Sequence, residues 1–204
     1  MIYNVVTSII LYSGTAVDLL IILMLFFAKR KSRKDIINIY LGQFLGSVSL
    51  ILLSLLFAFV LHYIPSKEIL GLLGLIPIFL GLKVLFLGDS DGEAIVKEGL
   101  RKDNKNLIFL VAMITFASCG ADNIGIFVPY FITLNLADLI VALLTFLVMI
   151  YFLVFSAQKL AQLPSVGETL EKYSRWFIAV VYLGLGIYIL IENNSFNMLW
   201  TMLG

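Results

Sequence analysis

The chain has 204 residues, of which 61% are hydrophobic and only 13% are charged. Its mean hydropathy is +1.05, whereas soluble domains are about half apolar and about a quarter charged. This composition excludes an ordinary soluble domain, and a net charge of +1 gives no reason to expect nucleic-acid binding. We therefore expect an all-α polytopic membrane protein surrounded by the lipid bilayer.

Six segments are long and apolar enough to be spanning helices, which need about 20 mostly apolar residues. They cover residues 3–28, 36–62, 68–88, 107–133, 137–158 and 174–193. The third segment is interrupted by Pro77 and Lys83. The N-terminus lacks the basic region of a cleaved signal peptide, so we expect the first segment to remain as a span.

Basic residues alternate between the connectors of these six segments. The connectors at 29–34, at 89–106 and at 159–175 are rich in lysine and arginine, whereas the turns near Pro65 and Asn135 have one basic residue and none. Basic residues mark the cytoplasmic side of a membrane protein. The pattern therefore predicts that both termini are extracytoplasmic.

The two halves of the chain resemble each other. Asp18 and Asp122 are 104 positions apart in apolar segments, and Gly81 and Gly184 are 103 positions apart. Each half holds three spans, an odd number, so the second half is inverted relative to the first. Inverted repeats with a site near the midplane are a transporter architecture. We predict a single transmembrane transporter domain with repeat one at 1–88, a cytoplasmic connector at 89–106 and repeat two at 107–204.

Asp18 and Asp122 lie deep inside their spans. Each is 11 residues from an end of its segment, at Lys29 and Thr133, or roughly 16 Å along a helix. Both are therefore expected near the middle of a hydrocarbon core about 30 Å thick, where an aspartate costs roughly 2.5 to 3.5 kcal/mol. The alternative to a functional role is that each carboxylate pairs with another side chain and holds the bundle together.

Each aspartate shares a helix face with a second donor three residues earlier, Thr15 in the first half and Cys119 in the second. A thiolate favours soft or borderline ions such as cadmium or zinc over calcium or magnesium. For Cys119, the alternative is a small buried apolar side chain. The predicted metal ligands are Asp18, Asp122, Cys119, Thr15, Ser118 and Asn123.

The fourth span contains glycine and proline residues. Gly120 and Gly125 are expected to let it unwind locally and lend carbonyl ligands, and Pro129 removes one backbone donor. Other glycines are expected to be helix-packing positions, and Gln43 an interhelical hydrogen-bonding residue. These packing glycines are Gly42, Gly46, Gly71, Gly74, Gly81, Gly184 and Gly186.

Several segments resemble the CadD-like cadmium resistance transporters of bacteria, within the wider superfamily of lysine exporters. The resemblance lies in Thr-Ala-Val-Asp-Leu-Leu-Ile at 15–21, Leu-Gly-Leu-Ile-Pro-Ile at 73–78, the run Ser-Cys-Gly-Ala-Asp-Asn at 118–123 with its continuation to 131, and the pair of segments 174–176 and 191–194. It implies a small multi-pass protein of the bacterial plasma membrane that exports cadmium.

The leading hypothesis is a secondary active exporter of divalent cadmium, or of zinc, that works by alternating access and proton antiport. The chain has no nucleotide-binding loop or zinc-protease motif, so we expect no enzyme, no bound cofactor and coupling to an ion gradient. We expect an empty pair of buried carboxylates to hold a proton that metal binding displaces.

Two alternatives stay open: an exporter of an organic cation or amino acid on the same fold, and a metal-binding membrane protein that does not transport. A homodimer through the glycine-bearing helices is a further option.

Overall fold

The computed structural model describes residues 2–29, 32–61, 70, 72–87 and 106–193, and for 87, 164–172, 174, 175 and 192 it describes the backbone alone. These ranges are helical and contain no strand. A short 3₁₀ turn, Leu72–Gly74, precedes the third helix. The helices are α1 Ile2–Lys29, α2 Arg33–Leu61, α3 Leu75–Leu87, α4 Leu107–Thr133, α5 Leu136–Leu160 and α6 Pro164–Glu192.

Each of the six predicted segments overlaps one of these helices. Four of them, α1, α2, α4 and α5, have 25 to 29 residues and are long and apolar enough to cross a membrane. The described residues also include two shorter apolar stretches, Leu72–Phe86 in the 3₁₀ turn and α3, and Trp176–Ile191 in α6. The chain is therefore a helical membrane protein.

Two predicted boundaries differ from the structure. α6 begins at Pro164, ten residues before the predicted start, because proline suits the first turn of a helix and hydropathy detects only the apolar part that follows. The 3₁₀ turn and α3 cover 72–87 of the predicted third span, and residues 62–69 and 71 lie outside the described ranges. The basic pair 30–31 and the connector 89–106, apart from Asn106, also lie outside them.

Asparagine side chains cap the N-termini of two of the helices. Asn106 accepts a hydrogen bond from the Phe109 amide at 3.3 Å, and Asn135 accepts one from the Asp138 amide at 3.0 Å. These bonds satisfy backbone donors that have no partner inside the helix. Only Leu134 and Asn135 separate α4 from α5.

The helices pack mainly in three pairs: α2 with α4, α3 with α6, and α1 with α5. Glycine allows two of these approaches. A Cβ atom on Gly42 would lie 2.6 Å from the Ile108 carbonyl oxygen of α4, and one on Gly186 would lie 2.5 Å from the Gly74 carbonyl oxygen. Gly46 and Gly81 also face close contacts.

The packing role predicted for glycine is thus confirmed at Gly42, Gly46, Gly74, Gly81 and Gly186. It is wrong for Gly184, where nothing lies within 4 Å of an added Cβ. That position faces a groove between α1 and α6. Gly71 lies outside the described residues.

An aromatic cluster fills the space between α1, α4 and α5. Phe127 packs against Phe146 with ring centroids 4.8 Å apart, and Tyr12 packs against the same Phe146 at 5.5 Å. Phe131 adds contacts to both phenylalanines. These buried rings lie toward the face of the bundle that contains the start of α1 and the end of α4, which we call the N-terminal face.

Candidate metal-ion site

A small cavity lies where α1, α2 and α4 meet. The space open to the centre of a water-sized sphere is about 10 Å³, which is room for about one water molecule. The cavity is bounded on α1 by Tyr12, Thr15, Ala16 and Leu19, on α2 by Ser47, Leu50 and Ile51, and on α4 by Asn123 and Phe127.

Thr15 and Asn123 are the predicted ligands that line this cavity, and both are buried. They approach it from different helices, α1 and α4, as the proposed pairing of the two motifs requires. The Thr15 hydroxyl donates to the Tyr12 carbonyl oxygen at 3.1 Å. Its oxygen lone pairs therefore stay available to an occupant of the cavity.

Cys119 and Ser118 lie on α4 next to the cavity. Cys119 is a buried cysteine that forms no disulfide within the described residues, one turn before Asn123 on the same helix face. The Ser118 hydroxyl is buried and has no hydrogen-bond partner within the part of the chain that the structure describes. Neither residue is among those that line the cavity.

Asp18 and Asp122 are half-buried, and each makes an interaction within the protein. They do not line the cavity, but Asp18 follows Thr15 by one helical turn and Asp122 is adjacent to Asn123. Within the described ranges, no three side chains of His, Cys, Asp or Glu come together as a group that could hold a metal. A metal site built on the two aspartates stays a prediction.

A chain of buried hydrogen bonds runs from α4 through α2 to the cavity. The Thr115 hydroxyl donates to Gln43 Oε1 at 2.6 Å, and Gln43 Nε2 donates to Ser47 Oγ at 2.9 Å. The predicted interhelical role of Gln43 is confirmed. Ser47 also lines the cavity, so these hydrogen bonds connect the α2 wall of the cavity to Thr115 of α4.

The sequence was compared with families of known proteins. A family model described as cadmium resistance transporter matches residues 12–202. The chain belongs to the cadmium resistance transporter family. The matched range begins at Tyr12 and contains both aspartate segments and the cavity. No curated protein matched the chain, and no solved structure did.

Membership of the cadmium resistance transporter family confirms the resemblance seen in the motifs. This is a family of membrane transporters rather than of enzymes, and its name specifies cadmium. Together with the long apolar helices, it identifies a membrane protein that carries a divalent metal ion. The residues that bind the ion and the way in which transport is driven are not specified by this match.

In this cadmium resistance transporter, α4 is continuous through Gly120 and Gly125, so the expected local unwinding is not observed. An unwound segment would leave backbone groups without partners, at a cost of several kcal/mol each in hydrocarbon. Gly125 instead serves packing, because an added Cβ would lie 3.0 Å from the Leu80 side chain of α3. Pro129 is inside the helix and lacks the amide hydrogen that would bond to the Gly125 carbonyl.

The motif analysis missed Tyr12 and Ser47. Tyrosine in a spanning helix is typical of the membrane interface, whereas Tyr12 lies ten residues inside α1 and is buried. That unusual depth, together with its position three residues before Thr15, is a signal available in the sequence. Ser47 carries no such signal, because only packing brings α2 to the cavity.

Proposed function

We propose that this cadmium resistance transporter is a secondary active exporter of divalent cadmium in the bacterial plasma membrane, with zinc as a second cargo. The family match over residues 12–202 carries the proposal. The location of the site is supported by the buried cavity between α1, α2 and α4, to which both motif-bearing helices contribute a polar side chain.

Asp18 and Asp122 supply the negative charge in this proposal, and Cys119 supplies the soft ligand. Thr15, Ser118 and Asn123 supply neutral donors. The cavity supports the assignment, because each aspartate is within one turn of a residue that lines it, a rise of about 5 Å or less. The two charges needed to balance a divalent cation are thus on the same helices as the neutral donors, within one turn of them.

The inverted repeat is supported by the helix pairs. If α1 corresponds to α4, α2 to α5 and α3 to α6, the α2–α4 pair exchanges with α5–α1, and the α3–α6 pair maps onto itself. These are the three main pairs in the bundle. The contacts of Gly42 with Ile108 and of Gly46 with Thr115 show that α2 and α4 are parallel. A twofold axis in the membrane plane would give the exchanged pair, α5 and α1, the same relation.

Alternating access requires a barrier on one side of the site at a time. Phe127 lines the cavity and continues into the aromatic cluster toward the N-terminal face, which we assign to the outside from the positions of the basic connectors. Export then needs this cluster to part after the ion has bound. Protons that return through the open site protonate the aspartates again, and cadmium binding from the cytoplasm displaces these protons.

Flux into proteoliposomes tests the proposal. Purified protein is reconstituted, a pH gradient is imposed, and cadmium uptake is measured with zinc, manganese or lysine as competitor. Wild-type protein should show gradient-dependent cadmium flux that zinc inhibits and lysine does not. Binding without flux would favour a non-transporting metal-binding protein, and inhibition by lysine would favour the amino-acid exporter.

Matched acidic variants test the site. Asp122→Asn and Asp18→Asn should insert normally and lose cadmium flux. Asp138→Asn serves as control, because Asp138 lies in the first turn of α5 and bonds to Asn135 at 2.7 Å, away from the cavity. Full flux in Asp122→Asn would refute the assignment of the site.

A further inference from the structure

The Tyr12 hydroxyl is an unusual group in this bundle. Tyr12 is 3% exposed, and its hydroxyl oxygen has no hydrogen-bond partner among the described residues. Buried polar atoms are nearly always paired, so such an exception calls for an explanation. Tyr130 shows the ordinary case, because its hydroxyl lies 2.8 Å from Ser8 Oγ.

The unpaired hydroxyl belongs to the cavity. Tyr12 lines it together with Ser47, but the geometric criteria for a hydrogen bond are not met at the Tyr12 hydroxyl. The phenol ring is held by Phe146 of α5. Packing therefore fixes the ring, and the hydroxyl remains available to a group that enters or changes within the site.

The two hydrogen bonds that lead from α4 through α2 to the cavity run in one direction. Thr115 donates to Gln43, and Gln43 donates to Ser47. Since Ser47 Oγ already accepts this bond, its own hydrogen is left to donate. The next oxygen along this direction is that of Tyr12, whose hydrogen would be the last donor of the series. Such a series ends best at an electron-rich acceptor.

Cys119 of α4 is the side chain that we consider as this acceptor. Residues 115, 119 and 123 are four apart on a continuous helix, so they share one face. Thr115 on that face bonds to α2, and Asn123 lines the cavity with Tyr12. Cys119 is buried between them on this face, one turn from the Asn123 side chain that lines the cavity with Tyr12.

We propose that Tyr12 is a positioning residue for Cys119 and donates a hydrogen bond to its sulfur when the thiolate binds a soft divalent cation. This inference rests on the proposed function. As the metal–sulfur bond replaces the S–H bond, the thiol proton leaves to the aqueous side from which the cation entered. The thiolate then accepts the Tyr12 hydrogen, and the packing of the ring against Phe146 keeps that donor in place.

Cadmium titration of the purified protein, followed in the ultraviolet, tests this inference. A cadmium–thiolate bond gives a charge-transfer band, and because Cys119 is the only cysteine, the band reports on this residue alone. Tyr12→Phe should weaken cadmium affinity about tenfold, as is typical when a partner of a metal ligand is removed. It should also move the band to longer wavelength, because a thiolate without its hydrogen bond holds its electrons less tightly.

Tyr130→Phe is the matched control. It removes an equally buried hydroxyl from the same aromatic cluster, but one that already has a partner. It should lower the unfolding temperature and leave both the affinity and the band unchanged. Tyr12→Phe should keep the wild-type unfolding temperature, since the deleted hydroxyl makes no bond in the described part of the chain.

The outcomes separate this inference from the proposed function. Unchanged affinity in Tyr12→Phe, or weaker binding with an unmoved band, would overturn the role of Tyr12 and leave cadmium export intact. Cadmium flux by a wild-type protein without a thiolate band would do the same. Absence of both binding and flux in the wild type would overturn the two proposals together.

Discussion

Gly42→Ala should strongly destabilise the bundle, because α2 and α4 touch at this position. An added Cβ would lie 2.6 Å from the Ile108 carbonyl oxygen and 2.7 Å from Val111 Cβ. Ordinary contact begins at 3.4 Å, so the helices must separate by about 0.8 Å. A backbone oxygen cannot rotate away as a flexible side chain can.

The same separation would lengthen the 2.6 Å bond between Thr115 and Gln43 beyond the usual range for hydroxyl donors. Overpacking costs about 1 to 3 kcal/mol, and loss of a buried hydrogen bond costs about 1 kcal/mol more. We therefore expect the free energy of unfolding to fall by about 2 to 4 kcal/mol.

Gly184→Ala is the matched control, since nothing lies within 4 Å of a Cβ there. The assay is thermal unfolding in detergent micelles, and unfolding is monitored by fluorescent labelling of the single buried cysteine as it becomes accessible. Gly42→Ala should become labelled at a clearly lower temperature, and Gly184→Ala at the wild-type temperature. Equal unfolding temperatures for the two variants would refute the close α2–α4 contact.

Three further changes have defined outcomes. Ser8→Ala removes the 2.8 Å partner of the Tyr130 hydroxyl but leaves its 3.4 Å bond to the Asn4 carbonyl oxygen, so it should cost about 1 kcal/mol of stability in the same unfolding assay. Cys119→Ser should weaken cadmium binding more than zinc binding, because cadmium is the softer ion; equal losses in competitive titrations would contradict a sulfur ligand. Asn135→Ala removes the cap of α5 and should lower stability by about 1 kcal/mol without changing cadmium flux.

The apolar segments predicted the helices because length and composition decide what can cross a bilayer. They placed α4 at 107–133, the observed bounds, since Asn106 directly precedes the apolar run and Asn135 closely follows it. They misplaced the start of α6 because its first turns are helical but polar. Hydropathy detects residues that are stable in the hydrocarbon core of the bilayer, and it does not detect polar helical turns outside that core.

The site was predictable only where the chain repeats a pattern. Thr15 and Asn123 were found through their spacing from the aspartates, and the structure brings both to one cavity. Ser47 could not be found, because its role follows from the packing of α2 against α4. Unwinding at Gly120 was expected from composition, but an added Cβ there meets only Leu50 at 3.5 Å, and the continuous helix keeps its backbone bonds. The pairing of Asp18 with Asp122 stays a prediction.

The size of the cavity bears on which ions can pass. A space that admits about one water molecule cannot take an ion with its full hydration shell. Mg²⁺ releases its waters reluctantly and demands near-ideal octahedral geometry, so this enclosure, if it is the ion site we propose, would discriminate against it before any ligand is contacted. Rejection of the hard ion would then arise from dehydration, and preference for cadmium from the sulfur beyond it.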